Sequence, residues 1–193
     1  MEGVKTRIYD NGFTLVYLHD PRFKTVSASL VVKVGSGYEK PPEYGITHVI
    51  EHLELEKQKE RISKIGKLNG LTSVNETVFD ATFFPDKISY FLDVSSDIVT
   101  HPPLNDNVLK RERKVIIIER REAEKEECSE REDVFFNGIY RINPFRRSSL
   151  FGILGPEENI NHFTREDIEK FFERWYSHSN MELYLVGPHP REH

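Results

Sequence analysis

One short segment of the sequence has the residue types and the spacing for metal chemistry, His48-Val49-Ile50-Glu51-His52. On a helix, residues four apart lie on the same face one turn apart, so His48 and His52 can bind a single metal ion. Glu51 follows His48 by three residues and lies on the same side of the helix. This H-x-x-E-H order is the inverse of the common zinc-protease motif and contains the same residue types. The opposite side of the helix carries apolar residues that can pack against a core, Val49, Ile50 and Leu53.

These residue types suit hydrolysis by an activated water molecule. Two neutral imidazoles leave a bound zinc ion with a net positive charge, which lowers the pKa of a water ligand towards about 7. A carboxylate beside that water takes its proton and passes it to the leaving amine, a role that we assign to Glu51. The alternative explanation is a pair of surface histidines on an amphipathic helix, and the motif alone leaves it open.

A catalytic zinc site needs a third protein ligand, and a long, charge-rich helix predicted from Asn105 to about residue 127 contains two candidates. Glu112 and Glu119 belong to a stripe with steps of four, three and four residues, made of Val108, Glu112, Val115 and Glu119. A carboxylate in an apolar stripe costs free energy unless it is paired or binds a metal. Because Glu119 follows three isoleucines, at 116–118, we expect its backbone to be deeply packed. Taken singly, each glutamate is better explained as part of an ordinary solvated helix.

The elements that position these residues mix strands and helices without strict β-α-β alternation. Apolar residues predict strands at 13–18 and 26–34, and because the two are closely linked we expect them to pair antiparallel. Helical spacing predicts the metal helix over 46–55, followed by a further helix face at Ile62, Ile65 and Leu68. The remaining predictions are strands within 71–84, a helix at 88–99, a helix that begins at the capping box of Thr164 and Asp167, and a final strand at 183–186. This order favours an α+β fold in which a mainly antiparallel sheet packs against helices.

Composition limits the classes of partner and compartment. The 193 residues contain 27 Lys and Arg against 32 Asp and Glu, a formal net charge of −5, which disfavours nucleic acid and an anionic membrane as partners. No apolar run approaches the roughly 18 residues of a membrane helix, and residues 1–10 lack the apolar core of a signal peptide. The single cysteine, Cys128, excludes an internal disulfide and suits a reducing compartment. We therefore expect a cytoplasmic protein that forms one domain over residues 1–193.

Several further segments, in order along nearly the whole chain, resemble the pitrilysin, insulinase and mitochondrial processing peptidase family of zinc peptidases. The matching segments are Asp10-Asn11-Gly12, residues 35–39, 45–52, 69–73 with Thr77 and Phe79, 110–119, 143–145, 163–167 and 176–181. The spacing from His52 to Glu119 is shorter than in the family. Leu53-Glu54-Leu55-Glu56-Lys57 also stands where family members have an apolar stretch that contains Gly and Thr. These departures affect the lip of the expected cleft rather than the ligands.

The resemblance implies a role for individual residues. By the match to 110–119, Glu119 is the third zinc ligand and Glu112 is a nearby supporting carboxylate. One zinc ion per chain would then be held by His48, His52 and Glu119. The resemblance also implies an edge strand on which a substrate peptide pairs by strand addition, formed by Asn69, Gly70, Leu71, Thr72 and Ser73.

The resemblance further implies an assembly of two parts. Family enzymes close two related halves like a clamshell, and this chain resembles the N-terminal, catalytic-type half, ending before that half is normally complete. A second copy or a separate partner chain would complete the chamber, so we expect a homodimer or a heterodimer. The predicted function is a zinc-dependent endopeptidase domain that cuts peptides or unfolded segments, with Glu51 as general base. The alternatives are a non-catalytic interaction subunit of a peptidase-like complex and a metal-storing or metal-sensing domain.

Overall fold

The computed structural model describes residues 3–125 and 150–188, and these contain one six-stranded sheet. Its strands are β1 (Lys5–Ile8), β2 (Thr14–His19), β3 (Val26–Val32), β4 (Lys67–Thr72), β5 (Thr77–Phe83) and β6 (Met181–Gly187). They lie in the order β1-β2-β6-β3-β5-β4. Strands β2 and β6 run parallel, and the other four neighbouring pairs are antiparallel. The predicted α+β fold with a mainly antiparallel sheet is confirmed.

The helices of the described ranges follow the predicted order closely. They are α1 (Ile46–Ile65), α2 (Ile88–Thr100), α3 (Asp106–Ala123), α4 (Leu150–Leu154), α5 (Glu157–His162) and α6 (Arg165–Trp175). The predicted capping box begins α6, since Thr164 and Asp167 exchange side-chain to backbone hydrogen bonds. None of these helices combines the length and the apolar composition that a bilayer-spanning segment requires.

One face of the sheet packs against the helices and forms the core. Alternate residues of β3 are buried on this face, Val26, Ala28, Leu30 and Val32. α1 contributes the apolar side that the sequence predicts, Val49, Ile50 and Leu53, each at most 1% exposed. The H-x-x-E-H segment therefore lies on a helix that is fixed to the sheet by its opposite side.

The expected pairing of the first two long strands is wrong, because β6 lies between β2 and β3. Leu183 of β6 is paired with Leu15 of β2 on one side and with Leu30 of β3 on the other. The connection from β2 to β3 is long enough to pass over one intervening strand. Nearness in sequence therefore does not decide the pairing here; the buried apolar face of β6 does.

The helix face expected at Ile62, Ile65 and Leu68 is also wrong in part. α1 runs without a break from Ile46 to Ile65 and ends at Gly66, whose φ of 144° departs from helical geometry. Leu68 therefore lies on β4 rather than on a helix. The polar N-terminal segment, for which no element is predicted, contributes the exposed edge strand β1.

Cys128 and the family-like segment Asn143-Pro144-Phe145 lie outside the described ranges. The long helix, predicted to run to about residue 127, ends earlier, at Ala123, and Glu124 is its C-cap residue.

Candidate active site

The structure brings three potential ligands together, His48 and His52 from α1 and Glu119 from α3. Oε2 of Glu119 lies 3.3 Å from Nε2 of His52 and 3.9 Å from Nε2 of His48. One ligand atom from each of the three residues lies within 4.8 Å of the others. Ligand atoms about 2.1 Å from a tetrahedral zinc ion are about 3.4 Å apart, so the group has the dimensions of a zinc site.

The pKa shifts of His48 and Glu119 favour metal binding, whereas the shift of His52 opposes it. Burial, and then the neighbouring His52, lower the pKa of His48 to about 4, so His48 is a neutral imidazole with a free lone pair. Burial opposes protonation of His52, but the carboxylates of Glu119, Glu51 and Glu112 outweigh it and raise its pKa. The hydrogen bond from His52 lowers the pKa of Glu119 despite partial burial. Two imidazoles and an ionised carboxylate are a donor set that zinc accepts.

Glu51 lies beside this group, buried at the point where α1 faces β4. Thr72 of β4 donates a hydrogen bond from its hydroxyl to Oε2 of Glu51, at 2.5 Å. Burial raises the pKa of Glu51, while this hydrogen bond acts in the opposite direction. A Cβ added at Gly70 would lie 2.4 Å from Oε1 of Glu51, so the glycine gives the carboxylate its space.

Glu112 lies directly behind His52, on the first half of α3. Its Oε2 is 3.3 Å from Nδ1 of His52, and its Oε1 accepts a hydrogen bond from Nε of Arg111 at 3.1 Å. Glu112 is 7% exposed, so it faces α1 rather than solvent. This is the position of a carboxylate that orients a ligating histidine.

The apolar stripe expected on α3 is wrong in detail. Glu112 and Glu119 do face α1, but Val115 between them is 45% exposed. Ile116 is fully buried, whereas Ile118, next to Glu119, is 57% exposed. The expected deep packing around Glu119 is therefore not found, because α3 covers α1 with one narrow side only.

The residues of the expected substrate strand lie on and just after β4, which is an edge of the sheet. Gly70 and Thr72 face Glu51, whereas Asn69 and Leu71 are exposed. Ser73 follows the end of β4 in a turn, where its carbonyl accepts a hydrogen bond from the backbone of Ser36. Within residues 3–125 and 150–188, no strand pairs with the outer side of β4, so a further strand can add there beside the buried carboxylate.

A cleft of about 330 Å³ adjoins the three potential ligands. It lies between α1, β4 and the start of α3, and its lining residues are His52, Leu55, Glu56, Lys59, Ile62, Leu68 and Glu112. Residues 52, 55, 59 and 62 recur at helical spacing in the sequence, and this pattern indicates that they form one wall of the cleft. The cleft combines apolar walls with charged groups next to the metal-binding group.

An α+β domain with an H-x-x-E-H helix beside a carboxylate-bearing helix is of the zinc protease-like class, and comparisons with known proteins give its family. The chain belongs to the insulinase family of peptidases, family M16, whose sequence model matches residues 14–151. A second model, described as the M16 peptidase inactive domain, matches residues 162–193. The family resemblance inferred from the sequence is confirmed.

Individual relatives show how much of a family member this chain represents. A probable mitochondrial-processing peptidase subunit beta of Schizosaccharomyces pombe is 30% identical over 192 residues, which cover 95% of this chain and 41% of that protein. An uncharacterized zinc protease of Rickettsia bellii is 27% identical over 186 residues, which cover 92% of this chain and 44% of that protein. The crystal structure of a protease from Helicobacter pylori matches with a TM-score of 0.87 at 22% identity, over 98% of this chain and 47% of that one. The chain therefore spans less than half the length of these relatives.

Proposed function

We propose that this chain is a zinc-dependent endopeptidase domain that hydrolyses peptides or unfolded segments. The observation that carries the proposal is the convergence of His48, His52 and Glu119 within 4.8 Å, with the buried carboxylate of Glu51 alongside. Membership of a peptidase family supports it.

The chain's own residues have separate tasks in this reaction. His48, His52 and Glu119 would hold one zinc ion, which when bound lowers the pKa of a water molecule and polarises the peptide carbonyl. Glu51 accepts the proton from the attacking water and delivers it to the leaving amine. Burial raises the pKa of Glu51, which makes it a better proton acceptor, and Thr72 holds one of its oxygens in place.

We propose that the substrate backbone lies along β4. An edge strand has unpaired backbone groups, and an extended peptide can add to it with little dependence on side-chain sequence. The segment of Asn69, Gly70, Leu71, Thr72 and Ser73 would place the scissile bond near Glu51, because Thr72 already contacts that carboxylate.

We further propose that residues 1–193 form one domain, the N-terminal, catalytic-type half, and act with a second half-domain. The second half would come from another copy, giving a homodimer, or from a separate chain, giving a heterodimer. The side chain of Glu119 is 44% exposed, so the site opens to solvent on the side that such a partner would cover. A cytoplasmic location and the absence of nucleic-acid or membrane partners stay predictions from composition.

The alternative of a non-catalytic interaction subunit is less well supported. Such a subunit needs the sheet and the helices but not a buried base beside three ligands. The presence of all four residues in one place favours the enzyme, as it does over a metal-storing or metal-sensing domain.

The test is Glu51→Gln, because the amide keeps the shape of the side chain but cannot accept the proton. We expect zinc content near that of the wild type and turnover of a fluorogenic peptide at least ~10²-fold slower. Glu60→Gln, at an exposed position of α1, is the matched control and should retain full turnover. Unchanged turnover in Glu51→Gln would contradict the proposal, and loss of zinc would make Glu51 a ligand instead of a base.

A further inference from the structure

Two glycines outside the site form an unusually close backbone contact. Gly45, directly before α1, and Gly155, directly after α4, both have positive φ, of 95° and 75°. A Cβ added at Gly155 would lie 2.5 Å from both Cα of Gly45 and the carbonyl oxygen of Tyr44. A Cβ at Gly45 would lie 2.7 Å from the carbonyl oxygen of Leu154. Only glycine allows the two backbones to approach this closely.

The same turn also binds the helix that carries Glu119. Arg120, the next residue of α3, is 8% exposed, and its Nη1 donates a hydrogen bond to the carbonyl oxygen of Gly155 at 2.5 Å. Its Nη2 is 3.3 Å from Oε1 of Glu124, the residue directly after α3, which holds the guanidinium in orientation. Gly155 is thus in contact with the start of α1 and with α3.

Further hydrogen bonds hold the start of α1 in this place. Glu39 accepts the backbone N–H of Gly45 at 2.9 Å and that of Thr47 at 3.0 Å, so it caps a helix whose own N-cap residue is glycine. Asn159 of α5 donates to the carbonyl oxygens of Pro41 and Tyr44, at 3.1 and 3.2 Å. His48 directly follows Thr47, the last residue of α1 that these contacts hold.

We propose that the turn at Gly155 is the positioning element that sets the distance between His48 and Glu119, with Arg120 and Gly45 as its positioning residues. A chain of contacts connects the two ligands. Arg120, next to Glu119, binds the carbonyl oxygen of Gly155. Gly155 contacts Gly45, which directly precedes the first turn of α1, where His48 lies. A metal site tolerates ligand displacements of only about 0.5 Å, so a shift in this turn changes metal affinity. The inference rests on the proposed zinc site and adds what holds that site in shape.

Two variants test this proposal by zinc affinity, measured in competition with a chelator. Gly155→Ala forces the turn away from Gly45, and Arg120→Met removes the hydrogen bond while keeping an unbranched side chain in place of the aliphatic part of the arginine. We expect each variant to bind zinc about tenfold more weakly than the wild type, a size typical of groups that orient metal ligands. The absorption spectrum of the cobalt(II)-substituted chain should change in both, because it reports ligand geometry rather than stability.

Gly12→Ala is the matched control for backbone strain. Gly12 also has a positive φ, of 84°, and a close neighbour in Ser179, but it lies between β1 and β2 at the opposite edge of the sheet from β4. The Gly12→Ala variant should have a lower melting temperature than the wild type, with an unchanged zinc affinity and an unchanged cobalt spectrum. If folded Arg120→Met binds zinc as the wild type does, with an unchanged cobalt spectrum, the positioning role is wrong although the zinc site stands. If the wild type itself binds no zinc, the proposed function fails first.

Discussion

At the scale of single residues, the two histidines of the site differ in what lies behind the ring. Nδ1 of His52 is 3.3 Å from Glu112, whereas Nδ1 of His48 is buried and has no hydrogen-bond partner among the described residues. A proton held on Nδ1 of His52 by Glu112 makes Nε2 the atom that offers its lone pair to a metal ion, once the proton that Nε2 donates to Glu119 has left. Glu112 therefore fixes the tautomer that a metal ligand needs.

This asymmetry predicts the effect of Glu112→Gln. A neutral amide is a weaker acceptor for the Nδ1 proton than a carboxylate, so the zinc affinity should fall by roughly tenfold. Chelator competition measures the change, with Glu122→Gln at an exposed position of α3 as the control. A zinc affinity equal to that of the wild type would show that Glu112 does not support His52.

At the scale of elements, α1 carries a buried polar stripe as well as its apolar side. The stripe has steps of four, three and four residues and consists of Thr47, Glu51, Glu54 and Gln58. Gln58 donates a hydrogen bond to Asp97 of α2, and Lys57 donates to the carbonyl oxygens of Asp97 and His101. These bonds tie the second half of α1 to the end of α2. Glu54 is 0% exposed, and its Oε1 has no hydrogen-bond partner in the described part of the chain.

Glu54→Gln should stabilise the chain in a pH-dependent way. Burial raises the pKa of Glu54 from 4.5 to about 8, although Lys57 opposes the shift. The folded chain therefore binds more protons than the unfolded chain between these pH values, and its stability falls as the pH rises through them. We expect the variant to exceed the wild type in free energy of unfolding by roughly 1–3 kcal/mol at pH 8 and by much less at pH 5. Urea unfolding without zinc measures this, with Glu60→Gln as the control; an equal gain at both pH values would contradict it.

The elements also show why the site was easier to predict than the sheet. His48, Glu51 and His52 lie within two turns of one helix, so their spacing is visible in the sequence. The place of β6 between β2 and β3 depends on contacts between distant segments, which local patterns do not report. The same is true of the contact between Gly45 and Gly155.

Glu119 and the end of α1 can be predicted from the sequence only in part. Glu119 is found by its helical step from Glu112, but the surrounding stripe is more exposed than an apolar pattern suggests. The end of α1 at Gly66 is not evident from the sequence, because Ile62 and Leu68 keep a helical spacing across it although Leu68 belongs to β4. The spacing of apolar residues therefore does not show where the helix ends; the backbone conformation of Gly66 does.

At the scale of the whole molecule, the site lies apart from a second and more apolar cavity. That cavity, of about 490 Å³, is mainly apolar and lies between α2 and strands β2 and β6, and none of His48, Glu51, His52 and Glu119 lines it. The site itself is an open cleft at the β4 side. A second half-domain closed over this cleft, as we propose, would shield a bound substrate from water.

The dependence of activity on a second chain is therefore testable. If two copies cover each other's clefts about a two-fold axis, the specific activity should rise with protein concentration as dimers form. Peptide turnover measured alongside light scattering gives both quantities. Full activity of a monomer would contradict the proposal, whereas activity that appears only on adding a second half-domain chain would identify a heterodimer.

The most direct test of the central claim is the zinc content of purified chains after dialysis. The account predicts about one zinc ion per wild-type chain and a nearly empty site in His48→Ala and in His52→Ala. His162→Ala, at an exposed position of α5, should keep the full zinc content. Full zinc occupancy in both His48→Ala and His52→Ala, or a wild-type chain that binds no zinc, would contradict the account.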